Sequence, residues 1–194
     1  MMEAANVGEL TEAQHGQTDK FKTRCALMVA ALAMVLALAS LGGGNASKEA
    51  TLYNILAADA YSFYQAKNIR QTVLKLAADD LALQVQMPGL PPALKQAMEK
   101  KLESHKQTIA RYESEPDTGE GKKELLARAK AHEVERDLAL RRDPWFDAAE
   151  ALLQIAIVLM SITLITERRS FFWASTVLGV LGILSTLNGY MLLI

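Results

Sequence analysis

Histidine and acidic side chains have the most versatile chemistry in this chain, because they can bind a metal or transfer protons. Two histidines, His105 and His132, lie in a region that also contains Glu103, Asp79 and Asp80. A helical zinc site places its ligands on one face, as in H-E-x-x-H, and no pair of these residues has such a spacing. The sequence also lacks a glycine-rich phosphate loop and a nucleophile elbow. We therefore expect no metal, no cofactor and no catalytic centre, and predict that the protein is not an enzyme.

Composition narrows the classes of partner further. The single cysteine, Cys25, excludes an intrachain disulfide framework and a multi-cysteine metal site. The net charge is −1 and only 6% of the residues are aromatic, so the chain has neither a strong basic excess nor many rings for base stacking. We expect no nucleic-acid partner and infer no small-molecule substrate.

Three runs of the sequence contain almost no charge, at residues 25–41, 151–166 and 171–194. A helix that crosses a hydrocarbon core of ~30 Å needs about 20 largely apolar residues. Helices of soluble proteins seldom stay apolar on every face for this length. The pattern predicts transmembrane helices at 25–44, 148–166 and 171–194, a short basic loop at 167–170, and the lipid bilayer as a partner.

Basic residues near the spans predict the orientation. Lys20, Lys22 and Arg24 precede the first span, and Arg168 and Arg169 lie between the second and the third. Both groups place the N-terminus in the cytoplasm and the segment 45–147 outside. Three basic residues before the second span favour the opposite orientation, but long domains count weakly in this rule. They are Arg136, Arg141 and Arg142. A cleaved signal peptide is the alternative interpretation of the first span.

The segment 45–147 is charged and has the composition of helices. No glycine or proline occurs between residues 46 and 87, and Pro88-Gly89-Leu90-Pro91-Pro92 then predicts the end of a first helix. Helices are predicted to return over 93–114 and 122–142, with a loop at 115–121, and Asp143-Pro144 is typical of a new helix start. The apolar face predicted for the first helix consists of Ile55, Phe63, Ala66, Ile69, Val73, Leu76 and Leu83.

These elements predict an all-α fold with three transmembrane helices and a long antiparallel helical hairpin inserted between the first and the second. A small helical bundle, folded at the 115–121 loop, is the competing arrangement, and the heptad-like spacing of the returning helix also indicates a coiled coil. Residues 1–24 are polar and without periodicity, and we predict a disordered tail there.

Small and polar residues inside the spans indicate how these helices pack. One stripe of small residues runs along the first span and another along the third, and such stripes let helix backbones approach closely in a membrane. They serve either packing within one chain or oligomerisation. Gln154 and Asn188 are expected to donate and accept interhelical hydrogen bonds. The first stripe is Ala26, Ala30, Ala33, Ala37, Ser40 and Gly44, and the third-span stripe is Ser175, Gly179, Gly182, Ser185 and Gly189.

Two stretches carry a resemblance to a known family. The first is Y-Q-A-K-N-I-R at residues 64–70, with Asp59 shortly upstream, and the second is D-P-W-F-D at 143–147 followed by E-A-L-L-Q-I-A-I-V-L at 150–159. Together they resemble the bacterial membrane-protein family described as domain of unknown function 4337, from the first apolar run to the third. The resemblance implies a bacterial inner-membrane protein with this order of parts, and it implies no activity or ligand.

Polar residues around the first of these stretches form a candidate patch. Tyr61, Tyr64 and Lys67 follow one another at three-residue steps and share a helix face, whereas Gln65 and Arg70 lie towards other faces. The patch serves either to fix the register of the hairpin or to dock another protein. Its members are Asp59, Tyr61, Tyr64, Gln65, Lys67 and Arg70.

Two functions agree with all of these features. The first is a non-enzymatic membrane scaffold or interaction protein that self-associates through its spans as a homo-oligomer. The second is an accessory subunit of a larger membrane complex or transporter, in which the helical segment docks onto another membrane protein.

Overall fold

The chain folds into helices only, over the part that the structure describes. The structure is a computed structural model, which describes the backbone of residues 2–193 and the side chains of residues 20–193. The helices are α1 (Met2–Val85), α2 (Pro92–Glu113), α3 (Lys122–Thr166) and α4 (Arg169–Met191). Helices α1, α3 and α4 are long and apolar enough to cross a membrane, by length and composition. The all-α class is therefore confirmed for the described residues, and the length and composition of these helices agree with a membrane protein.

Proline and glycine residues determine where the first two helices of the charged segment end and begin. Helix α1 ends at Val85, just before Pro88, and Gly89 then adopts a positive φ of 86° that a residue with a side chain rarely takes. Helix α2 starts at Pro92, where a proline removes only a donor that has no helical partner. The turn predicted from the proline-rich sequence is confirmed.

Two of the sequence predictions differ from the structure. Helix α1 includes the backbone of residues 2–24, where a disordered tail was predicted; no proline interrupts the chain before Pro88, and extending an existing helix needs no new nucleus. Asp143-Pro144 does not start a helix, because Pro144 lies inside α3. A proline removes one backbone hydrogen bond, and here Ala139 and Phe146 are buried on either side of it and hold the helix in place.

The chain divides into two compact units. One unit consists of Met1–Lys48 and Leu138–Ile194, and the other of Glu49–Asp137. We call them the apolar unit and the charged unit.

The apolar unit packs by close approach of helices at glycine and serine. Phe146 of α3 is 2% exposed, its ring lies against Gly42 of α1 and Gly189 of α4, and its β-carbon lies against Gly43 of α1. The Ser175 hydroxyl of α4 donates a hydrogen bond of 2.6 Å to the Ala156 carbonyl of α3. Small residues thus allow the helices to touch where larger side chains would separate them.

The two stripes of small residues have opposite surroundings in the apolar unit. All five members of the α4 stripe are buried, and Gly179 and Gly182 contact Leu32 and Leu153 respectively. All six members of the α1 stripe are exposed, and the buried α1 positions are others, among them Cys25, Leu32 and Ala39. The α4 stripe therefore packs within the chain, and the α1 stripe does not.

Helix α1 also buries an unexpected face in the charged unit. The residues predicted as its apolar face are exposed, including Ile69, Val73 and Leu76. The expectation from hydrophobicity was wrong because alanines allow a close approach of the neighbouring helices, and because polar side chains on that face find partners. The buried residues of this face are Ala50, Ala57, Ala60, Lys67, Gln71 and Ala78.

Candidate functional site

Lys67 is the centre of a polar cluster in the charged unit. Its side chain is 9% exposed, and its ammonium lies 3.6 Å from a carboxylate oxygen of Glu115 and 3.5 Å from one of Glu120. The ammonium also lies 5.4 Å from the centre of the Tyr112 ring, within the range of a cation–π interaction. A buried charge needs such compensation, because removal from water disfavours it by several kcal/mol.

Gln71, one helical turn after Lys67, joins three segments of the charged unit. Its amide nitrogen donates to the Ile109 carbonyl and to the Glu113 carboxylate, at 3.0 Å each, and its amide oxygen accepts from the Lys122 ammonium at 2.7 Å. The same ammonium reaches the amide oxygen of Asn68 at 3.0 Å. Gln71 is only 2% exposed, and these three hydrogen bonds satisfy its buried amide group.

The loop between α2 and α3 is closed by a local hydrogen-bond pair. The Ser114 hydroxyl donates to the Glu124 carboxylate at 2.6 Å, and the backbone N–H of Glu115 donates to the same carboxylate at 3.1 Å. This carboxylate therefore stabilises the loop that carries Glu115 and Glu120, the two partners of Lys67.

The predicted patch is divided between two faces of α1. Tyr61, Tyr64 and Lys67 point towards the neighbouring segments: the Tyr61 hydroxyl donates to Glu133 at 3.2 Å, and the Lys122 ammonium lies 5.8 Å from the Tyr64 ring centre. The other three members are exposed. They are Asp59, Gln65 and Arg70.

The two polar residues predicted within the spans also have different surroundings. Gln154 is exposed on α3. Asn188 is buried on α4, and its amide oxygen accepts from the Leu193 backbone N–H at 3.0 Å. The interhelical hydrogen bonds expected for this pair stay a prediction.

Sequence reasoning missed several members of the cluster. Gln71 lies four residues after Lys67 and continues the spacing of 57, 60, 64 and 67, so the pattern of small and polar residues could have indicated it. The glutamates of α2 and the following loop gave no such signal, because their approach to α1 depends on how the chain folds back. The missed residues are Asn68, Gln71, Glu113, Ser114, Glu115, Glu120, Lys122 and Glu124.

The chemistry of this cluster is that of a satisfied polar network. Its cations face carboxylates and its amides are hydrogen bonded, which is the arrangement of a structural contact between helices. Among the described residues, no group of three or more histidine, cysteine, aspartate or glutamate side chains is placed to hold a metal ion. A pocket of about 250 Å³ lies beside the cluster, with Asp59, Glu120 and His132 in its wall.

The hydrogen bonds of the cluster predict a pH dependence of stability. Hydrogen bonds from Gln71 and Lys122 hold the pKa of Glu113 below its usual range, and the Ser114 hydroxyl does the same for the pKa of Glu124. Because both pKa values are lowered by folding, the stabilisation is present above the ordinary glutamate pKa of about 4.3 and is lost as the pH falls through the folded-state values. We expect the melting temperature by circular dichroism to fall between about pH 5 and pH 3.

Substitution of Glu113 and Glu124 tests whether their carboxylates cause this pH dependence of stability. The double variant Glu113→Gln, Glu124→Gln should melt lower at pH 7 and show a flatter pH profile. Glu99→Gln, an exposed carboxylate on α2, is the control and should keep the wild-type profile. An unchanged profile in the double variant would show that these hydrogen bonds do not stabilise the ionised forms.

Comparison with known proteins identifies the family of this chain. The model of the family described as Domain of unknown function (DUF4337) matches residues 21–192, which include all four helices beyond the first residues of α1. No curated protein and no solved structure shows significant similarity to the chain. Since the match extends over most of the sequence, the chain belongs to the DUF4337 family.

Proposed function

We propose that this chain is a non-enzymatic scaffold of the bacterial cell membrane that self-associates through its spans. Helices α1, α3 and α4 supply three apolar segments of sufficient length. The basic residues near these segments support a cytoplasmic N-terminus, with the segment 45–147 on the outer side.

The exposed stripe of small residues on α1 carries the proposal of self-association. Its members are spaced by four, three, four, three and four residues, and they face away from the core of the apolar unit. A β-carbon added at Gly44 would meet no atom within 4 Å, so this position is open to an approaching helix. Membrane helices associate through such small residues, because close backbone contact gives packing that lipid tails do not match. The exposed amide of Gln154 on α3 supports the same conclusion, since a polar group in hydrocarbon gains from a partner in another helix.

The contacts in the charged unit support a helical hairpin as the form of its helices. Gln71 of α1 meets Ile109 and Glu113 of α2, and earlier positions of α1 meet later positions of the chain, as Tyr61 meets Glu133 of α3. A position nearer the start of α1 thus contacts a position later in the returning chain. This is the pattern of an antiparallel pair, in which α2 and then α3 return along α1. Residues 114–121 separate α2 from α3, and the heptad-like spacing of α2 favours a coiled coil.

Enlarging the stripe tests self-association. The double variant Ala30→Leu, Ala33→Leu should dissociate the oligomer, because leucine at these positions prevents the close approach of two α1 helices. We expect native mass spectrometry in mild detergent to give an oligomer for the wild type and a monomer for the double variant. Met34→Leu is the control: this side chain is 70% exposed, lies outside the stripe and already has the volume of leucine. A wild type that is monomeric, or a double variant that keeps its oligomeric mass, would contradict the proposal.

A second function is favoured by the exposed apolar side chains of α1 in the charged unit. An accessory subunit of a larger membrane complex or transporter would use such a surface to dock onto another protein. Native mass spectrometry distinguishes the two functions, because a subunit purifies from its own membranes with a different chain of defined stoichiometry.

A further inference from the structure

Helix α1 has a continuous exposed face in the charged unit, opposite to the face that it buries. Ten positions separated alternately by three and four residues form this face, and every one of them is exposed. Six of the ten are large aliphatic residues, whose side chains are between 53% and 66% exposed. We call these positions the outer seam: Leu52, Ile55, Asp59, Ser62, Ala66, Ile69, Val73, Leu76, Asp80 and Leu83.

The spacing of the outer seam identifies the kind of surface that fits it. Alternating steps of three and four residues are the repeat by which one helix packs lengthwise against another. From Leu52 to Leu83 the seam extends about 46 Å at 1.5 Å per residue, which is the length of a helical interface and not of a small-ligand pocket. Exposed apolar surface of this extent marks a site of protein interaction. An amphipathic helix is therefore the occupant that the geometry selects.

Charge distinguishes between a second copy of this chain and a different protein. Asp59 and Asp80 lie in the seam itself, 21 residues or three heptads apart. Copies in one membrane share their orientation, so their α1 helices run in the same direction. A symmetric parallel pair would then place Asp59 against Asp59 and Asp80 against Asp80, and two carboxylates facing each other at a desolvated interface repel.

From this pattern we infer that the outer seam docks an amphipathic helix of a different protein, with an apolar heptad repeat and a lysine or arginine opposite Asp59 and opposite Asp80. The inference rests on the docking function proposed above. It adds the surface, the chemistry of the partner and the spacing of the two basic residues, which must be three heptads apart. Each basic residue forms an ion pair that the partner's apolar residues shield from water.

The surroundings of the two aspartates fit this chemistry. The pocket of about 250 Å³ opens beside Asp59 and has Leu56 and Phe63 in its wall, so that the aliphatic part of a long basic side chain can lie against them. Arg128 also lines this pocket, and its guanidinium donates to the Gly119 carbonyl at 3.2 Å. Because Glu120 stands in the same lining as Asp59, the carboxylates there outnumber the guanidinium group by two to one. Asp80 accepts a hydrogen bond of 2.9 Å from Gln84, which holds its carboxylate in place without neutralising it.

Two synthetic helices test the inference on the full-length chain in lipid nanodiscs. The first is a fluorescent peptide of about 35 residues with a leucine and isoleucine heptad repeat and two core lysines three heptads apart, and the second carries glutamate at both positions. We expect fluorescence anisotropy to show binding of the lysine peptide, and binding of the glutamate peptide that is weaker by about ten-fold or more. Asp59→Asn, Asp80→Asn should abolish this preference, and Ile69→Lys, Leu76→Lys should abolish binding. Lys75→Ala, outside the seam, is the control and should bind as the wild type does.

Other outcomes overturn the inference. Equal affinity for the two peptides would show that the aspartates do not select the partner, and binding of neither would show that the seam accepts no helix of this kind. A disulfide between two chains that carry Ile69→Cys in a Cys25→Ser background would show that a second copy occupies the seam. The oligomeric mass is measured on the same samples, so a chain that self-associates but binds no peptide contradicts only this inference. A monomeric chain that prefers the lysine peptide contradicts only self-association through the spans.

Discussion

Gly42→Ala is expected to destabilise the apolar unit by about 1–3 kcal/mol, the usual cost of overpacking. A β-carbon at Gly42 would overlap the ring of Phe146. The ring has little room to move away, because Phe146 is only 2% exposed and a β-carbon at Gly189 would lie only 2.8 Å from the ring, so α4 is already close to it. The substitution must therefore displace α1 or α3, at the place where three helices of this unit meet.

Gly44→Ala provides a matched control for this prediction. It makes the same chemical change in the same helix two residues later, where an added β-carbon meets nothing within 4 Å. Both substitutions gain up to about 1 kcal/mol of helix propensity, so the difference between them isolates the contact with Phe146. Both substitutions are made in the Ala30→Leu, Ala33→Leu background, so that self-association through the stripe does not contribute to the comparison. Thermal denaturation in mild detergent should then give a lower melting temperature for Gly42→Ala and an unchanged or higher one for Gly44→Ala. Equal melting temperatures would mean that the helices do not meet at Gly42.

Lys67→Ala is expected to destabilise the charged unit by about 2–3 kcal/mol. The variant leaves the carboxylates of Glu115 and Glu120 without their shared cation, and it opens space next to the Tyr112 ring. We place the effect below that of a fully buried pair, because the Glu120 side chain is 56% exposed and water compensates part of its charge. Lys67→Met should cost less than Lys67→Ala, since it keeps the volume and loses only the charge.

Arg70→Ala is the control for Lys67. It removes a cation from the same helix three residues later, where the side chain is exposed, so we expect a change within about 0.5 kcal/mol. Chemical denaturation followed by circular dichroism measures all three variants. If Lys67→Ala and Arg70→Ala lose the same stability, the cluster around Lys67 does not hold the segments of the charged unit together.

The helices could be predicted from the sequence where neighbouring residues alone determine their length or their end. The apolar length of the three runs predicted which helices can cross a membrane, and the proline-rich turn predicted the end of α1, since proline acts within one turn of itself. Pro144 shows the limit of this reasoning. The same residue type starts α2 at Pro92 and lies inside α3 at Pro144, because packing on both sides of Pro144 compensates the hydrogen bond that it removes.

The candidate site could be predicted only in part, because some of its residues are distant from one another in the sequence. The three-residue spacing is enough to place Tyr61, Tyr64 and Lys67 on one face of a helix. It gave no information on Glu115 and Glu120, which lie about 50 residues later and reach Lys67 only through the tertiary fold of the charged unit.

By itself the sequence determined that the chain is helical, where its apolar lengths lie and which residues share a face, because each of these depends on the period of a single helix. Only the tertiary structure decided which face is used. On α1, alanines and two polar side chains are buried, whereas the aliphatic residues of the outer seam and the small residues of the first stripe stay exposed. The physical reason is that burial depends on how closely a neighbouring segment can approach and on whether polar groups find partners there, and neither is a property of one residue or one helix.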